Sequence, residues 1–428
     1  MLTLRNFVIP CATLLLILGC KARPVTADVP RIEVSADDAF DYEDYRVDSV
    51  RRPAEYTFTR PSMDPEHYRP DTLNPRLLPM RYLRVNIHIM NTTDTFYRFF
   101  GAEAEDYVLR MMGHVANNIK NEYPIWLQPE GMEVPVLPRR LYFALDKSAQ
   151  GDYAIYEHYD DELYWYLHKG KGINRTDRAV IRKYAVNKDS VLNIFIMGPP
   201  REKIAQGYRL SGTDGIYLGD AIKITGLLSG DRKPWEMSGN IAHEIGHALG
   251  LGHAWTARDG CDDTPVHPND AWRKAAGERG PGKSSNNLMD YSNTQKSLTP
   301  CQIGRMHARM SDITGRQRKW LKPYWCRYNP NEPVRVTSDV NLEGARDYNT
   351  DIYVKYGATL RINSRVHLPE GAAIHVDPGG RLLLGPGAVI HSDCGGEWAG
   401  IRVGVTASGA RGEVVADPNA VFLNEARQ

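Results

Sequence analysis

Residues 243–253 read His-Glu-Ile-Gly-His-Ala-Leu-Gly-Leu-Gly-His. The spacing of His243 and His247 places both imidazoles on one face of a helix, because residues four apart lie one turn above each other. Two neutral imidazoles so placed reach a single Zn²⁺. Glu244 stands beside the first histidine, where its carboxylate points past a metal rather than at it, a position suited to a general base. Gly250, seven residues after His243, takes a positive φ without penalty and turns the chain out of the helix. His253 then returns as a third ligand. Three protein ligands and one open position mark a catalytic rather than a structural zinc site. Five fixed residues at roughly 5% each arise by chance about once in a million start positions or less often, so the match outweighs that of the shorter HExxH.

Outward from this stretch, Glu236–Gly250 is expected to be helical. Leu83, Val85, Ile87 and Ile89 alternate as in a strand. Val108, Met112, Val115 and Ile119 give Gly101–Tyr123 a helical stripe that Pro124 stops. Further strands are expected at 140–145, 191–197 and, as a short edge strand, 215–218. The order predicts an α/β (α+β) catalytic domain with a mixed sheet and an active-site helix. After residue 335 the texture changes. Segments at Gly357, Gly371, Gly379 and Gly387 repeat a glycine, two residues and an aliphatic strand. This predicts an all-β module, a short β-helix (solenoid) or a sandwich.

The motif resembles the metzincin clan of zinc endopeptidases, HExxHxxGxxH. Those enzymes carry a methionine turn beneath the metal, and Asn287-Leu288-Met289-Asp290-Tyr291 stands in the corresponding place. By that resemblance Met289 is the floor of the site, and Tyr291 is a switchable ligand or a phenol that stabilises an oxyanion. Asp259–Pro265 and Leu298–Met306 resemble the pappalysin family within the clan, although Leu298 replaces its usual Phe and the cysteines are arranged differently. Thr299 as N-cap and Pro300 in the first turn fit the start of a helix. The resemblance also implies calcium near this loop, and Asp262, Asp263 and Thr264 offer oxygens that suit a hard cation. Solvated loop acids are the alternative. The implied activity is hydrolysis of peptide bonds in extracellular proteins, with Zn²⁺ as cofactor, Glu244 as base and a protein or peptide as substrate. The rival reading is a non-enzymatic surface adhesin that binds through the C-terminal module on a metalloprotease-like scaffold.

The first twenty residues bear on location. Arg5, the apolar stretch Phe7–Leu18 and Gly19 read as a secretory signal. Ile17-Leu18-Gly19-Cys20 resembles a bacterial lipobox, which implies cleavage before Cys20 and a lipid anchor on its thiol. The expected product is an exported bacterial lipoprotein at the outer membrane, the cell surface or facing the periplasm. Cysteines 261, 301, 326 and 394 remain in an oxidising compartment and allow three connectivities. Cys261–Cys301 is the first expectation among them. Residues 1–19 are thus expected as signal, 20–79 as lipid-anchored tether or pro-segment, 80–325 as the zinc metalloprotease domain and 335–428 as the accessory module.

Composition narrows the rest. Of 428 residues, 53 are Lys or Arg and 52 are Asp or Glu. A net charge of +1 supplies no basic field for nucleic acid. No run of 18 apolar residues occurs, which argues against a multispan membrane protein.

Overall fold

The computed structural model describes residues 35–94, 98–147, 153–166, 173–199, 215–225, 233–269, 271, 280–292 and 294–426. The signal segment and Cys20 lie outside the described residues. Among those residues no helix is long and apolar enough to cross a membrane.

The expected α/β catalytic domain is built on one mixed sheet. Its strands run in the order Leu141–Leu145, Arg81–Asn91, Leu192–Met197, Ala221–Thr225 and Gly215–Tyr217. Ile155–Tyr159 pairs with the second half of Arg81–Asn91, where Ile87 faces Ile155. All neighbours are parallel except Gly215–Tyr217, which runs antiparallel to Ala221–Thr225 and forms the edge. Arg81–Asn91 and Leu192–Met197 are buried almost throughout. In Arg81–Asn91 the alternating Leu83, Val85, Ile87 and Ile89 enter the core, while Asn86 and His88 on the other face are buried with hydrogen-bond partners, Val186 O and Asn193 Oδ1.

Two helices cover one face. Gly101–Lys120 turns Ala104, Val108, Met111, Met112, Val115 and Ile119 inward. The helix Ser238–Ala248, which carries His243, Glu244 and His247, packs beside it and is buried on nearly every side. A helix enclosed in this way cannot roll or slide without opening the core, and it therefore holds its histidines firmly.

The C-terminal module is a solenoid, not a sandwich. Twelve short strands stack in parallel into three sheets, so each turn contributes one strand to each sheet. Ile352 faces Ile374 and Leu360 faces Leu382, and these aliphatics fill the lumen. The repeated glycines turn the corners, with positive φ at Gly357, Gly371 and Gly379. The first sheet also gains Phe40–Tyr45, which pairs antiparallel with Ile401–Thr406. Arg51 bridges to Val421 on another sheet. Order therefore reaches further toward the N-terminus than the alternation at 83–89 indicates.

A buried ionic cluster joins the solenoid to the sheet. The Asp347 carboxylate accepts from Arg81 at 2.7 Å, from Arg318 at 2.7 and 3.0 Å and from Arg365 at 2.6 Å. Arg81 opens the central strand, whereas Asp347 and Arg365 belong to the solenoid. Burial by itself would raise the Asp347 pKa. The three guanidinium groups overcome it and hold the carboxyl well below its ordinary 3.8. A second staple, the Cys326–Cys394 disulfide, connects the two regions nearby. Asp347→Ala would leave three buried cations without their counter-ion and should cost about 3–5 kcal/mol in denaturant unfolding at pH 7. The stability that Asp347 contributes is present above about pH 4 and fades only as pH falls toward its lowered pKa, so the gap between Asp347→Asn and the parent should narrow in acid.

Candidate metal centre

The active-site helix ends on two hydrogen bonds of a Schellman motif. Leu251 N–H donates to Gly246 O at 3.0 Å, and Gly250 N–H donates to His247 O at 3.0 Å. Gly250 sits at φ +95°, where a side chain would be strained. A Cβ there would also lie 2.8 Å from Arg309 Cγ. This turn carries His253 back toward the helix.

The three imidazoles then meet. His247 Nε2 lies 3.1 Å from His253 Nε2, and one ring nitrogen from each of His243, His247 and His253 falls within 4.8 Å of the other two. His243 Nδ1 contacts Leu288 O at 2.8 Å, and His247 Nδ1 contacts Leu251 O at 2.9 Å. A carbonyl can only accept, so in these contacts each Nδ1 donates and Nε2 is the nitrogen that can bind a metal; the Gln295 side-chain amide also lies 3.1 Å from His243 Nδ1. Burial pushes the His243 pKa down to about 3 and that of His253 to about 4, and it lowers that of His247. Three imidazoles that bring one nitrogen each to within 4.8 Å of the others, all with lowered pKa values, fit a divalent zinc ion.

Glu244 is buried beside them. Burial raises its pKa to about 7, opposed by the backbone N–H of Tyr217 and by Arg175. Gly215 makes room for it: a Cβ at that position would stand 2.9 Å from Glu244 Cγ. The edge strand thus presses its backbone directly on the carboxylate, a contact that the Gly-Ile-Tyr sequence does not announce.

Met289 is fully buried under the helix. Its Sδ occupies the space where a Cβ on Gly246 would go. The turn around it is held on both sides. Asn287 Oδ1 accepts from Met289 N–H at 2.8 Å, and Asn287 and Gln302 exchange amide hydrogen bonds at 3.0 and 3.1 Å. Gln302 also completes the capping box with Thr299 that starts helix Pro300–Ser311. Tyr291 borders the cleft, its ring 5.1 Å from that of His253 and 4.3 Å from that of Trp255. Trp255 stacks on His253 at 4.0 Å. It was not among the residues marked in the sequence.

The loop between His253 and Met289 carries the acids that the sequence offers to a hard cation, and their protein partners are these. Asp263 accepts from Cys301 N–H at 2.9 Å, so it helps to cap helix Pro300–Ser311. Thr264 Oγ1 donates to Asp259 at 2.6 Å, whereas Asp262 is exposed. Asp259, which opens the stretch, organises this loop through Thr264 and Cys261 N–H. Cys261 and Cys301 are joined by a disulfide that ties the loop to the helix.

No protein-family model matches the chain, and no curated protein does. Among solved structures it is similar to Tannerella forsythia mature mirolysin in complex with a cleaved peptide, at 15% identity and a TM-score of 0.38, covering 56% of this chain and 96% of that one. Mirolysin in complex with compound 9 gives 16% identity and 0.37, covering 56% and 96%. A Tannerella forsythia promirolysin mutant gives 15% and 0.38, covering 56% and 84%. Likeness at this level says nothing of chemistry, which depends on the side chains themselves.

Gly246→Ala would drive a methyl group into Met289. It should cost about 1–3 kcal/mol of stability and loosen the three histidines. Calorimetric unfolding and zinc titration of the variant would register both effects.

Proposed function

We propose that the chain is a zinc-dependent endopeptidase of the metzincin type, closest to the pappalysins, which works outside the cytoplasm as a membrane-anchored lipoprotein. The observation that carries this reading is the convergence of three neutral imidazole nitrogens beside a buried carboxylate on one wall of an open cleft.

His243, His247 and His253 would hold the ion. When bound, zinc supplies Lewis-acid activation of water and of the scissile carbonyl. The remaining work belongs to the chain. Glu244, buried beside the histidines at the cleft, takes the proton of the attacking water and hands it to the leaving amine. The Tyr291 phenol stands at the cleft beside His253 and donates to the oxyanion that develops on the carbonyl. Gly215–Tyr217 has a strand on one side only among the described residues. Its other edge aligns an extended substrate backbone by strand addition. The buried helix, the Met289 floor and the turn at Gly250 keep the ligands fixed while substrate enters and product leaves.

Secretion and the lipid on Cys20 rest on the leader sequence alone. Calcium at Asp262, Asp263 and Thr264 rests on the family resemblance, and two of those side chains already serve the loop and the helix cap.

Glu244→Gln should lower kcat on a protein substrate such as casein by about 10²–10⁴-fold or more while the variant still binds one zinc per chain by mass spectrometry. Cleavage at the parental rate by the zinc-loaded variant would end this assignment. Tyr291→Phe should reduce kcat by roughly 10²-fold with a smaller effect on KM.

A further inference from the structure

The cleft over the histidines measures about 370 Å³. Beside the histidines, its described lining residues include one carboxylate, Glu244, and one guanidinium, Arg175. Glu244 is buried and faces the metal ligands. Arg175 is exposed, on the short helix Ile173–Thr176 at the rim, and forms no ion pair among the described residues. Its cationic neighbours are engaged elsewhere. Arg178 donates to Leu218 O and pairs with Asp220, and Arg316 donates to Gly219 O. Both therefore hold the turn that follows the edge strand, and among the described residues they leave Arg175 as the cation that lines the cleft.

On the peptidase reading above, we propose that Arg175 is a specificity residue that selects substrates with an aspartate or glutamate side chain next to the scissile bond. A guanidinium offers a planar fork of donors that a carboxylate accepts in pairs. A lysine or arginine in the same place would meet like charge in a partly enclosed cleft. The net charge of +1 gives no long-range steering, so discrimination between acidic and basic peptides has to arise from local contacts of this kind. Arg175 also attracts Glu244. If that were its whole role, removing it would slow every substrate alike.

The test uses the zinc-loaded full chain and peptides identical except for Glu, Gln or Lys at each position flanking the scissile bond. The expected result is a kcat/KM on the order of tenfold or more in favour of Glu over Lys at one position. Arg175→Met should flatten that preference and Arg175→Glu should reverse it. A preference that Arg175→Glu leaves intact, or a uniform loss across all peptides, overturns the proposal. A second arm measures binding of the same fluorescent peptides to the Glu244→Gln protein by anisotropy. There the Glu peptide should bind more tightly than the Lys peptide, and adding Arg175→Glu should invert the order. Equal binding overturns the proposal. A parent protein that cleaves none of the peptides but keeps this binding order removes the peptidase reading and leaves the selectivity standing.

Discussion

The reversal at Gly250 decides where the third imidazole falls. His243 and His247 are placed by helical geometry alone, but a helix that continued would carry His253 onto another face, away from them. The positive φ of Gly250 and the two Schellman hydrogen bonds end the helix at that point and return the chain. His253 then reaches His247 at hydrogen-bond range. The rest of the site depends on this fold-back. Met289 fills the space beneath Gly246, and Ala254 N–H donates to Met289 O at 3.1 Å. The turn, the floor and the third ligand therefore lock one another. Leu288 O and Leu251 O, supplied by these same loops, fix the tautomers of His243 and His247.

The surrounding architecture keeps that arrangement rigid over a longer range. Asn287 and Gln302 couple the methionine turn to helix Pro300–Ser311. Gly304 in that helix lies so close to Pro65 O that no side chain fits, and the segment before the sheet therefore packs tightly on it. The Arg81–Asp347 contact extends the chain of support into the solenoid. In consequence, the C-terminal strands share a buried ionic joint with the strand at the centre of the mixed sheet, rather than hanging from a linker.

What could be read from the sequence was what short segments determine. The eleven residues from His243 to His253 contain the helix spacing, the turn and the base, so the site was legible locally. The glycine-cornered repeats likewise gave a β module, and parallel pairing between successive turns decided for the solenoid. The joint at Asp347 was not legible. Its partners lie 266, 29 and 18 residues away, and a buried arginine looks in sequence like a surface one. The pairing of Phe40–Tyr45 was hidden for another reason. Its sequence, Phe-Asp-Tyr-Glu-Asp-Tyr, is acidic, and strand addition to a sheet edge relies on backbone hydrogen bonds rather than on an apolar face. Arg175 and Gly215 acquire meaning only when the edge strand is laid against the active-site helix, a contact between segments far apart in the chain.

Zinc K-edge X-ray absorption on the full chain loaded with one equivalent of zinc tests the metal centre most directly. The proposed site predicts one zinc per chain with three imidazole nitrogens at about 2.0–2.1 Å and no sulfur neighbour, and loss of the imidazole signal in a His243, His247 and His253 triple alanine variant. Sulfur in the coordination sphere, or an unchanged spectrum in the triple variant, would place the metal elsewhere and contradict the account.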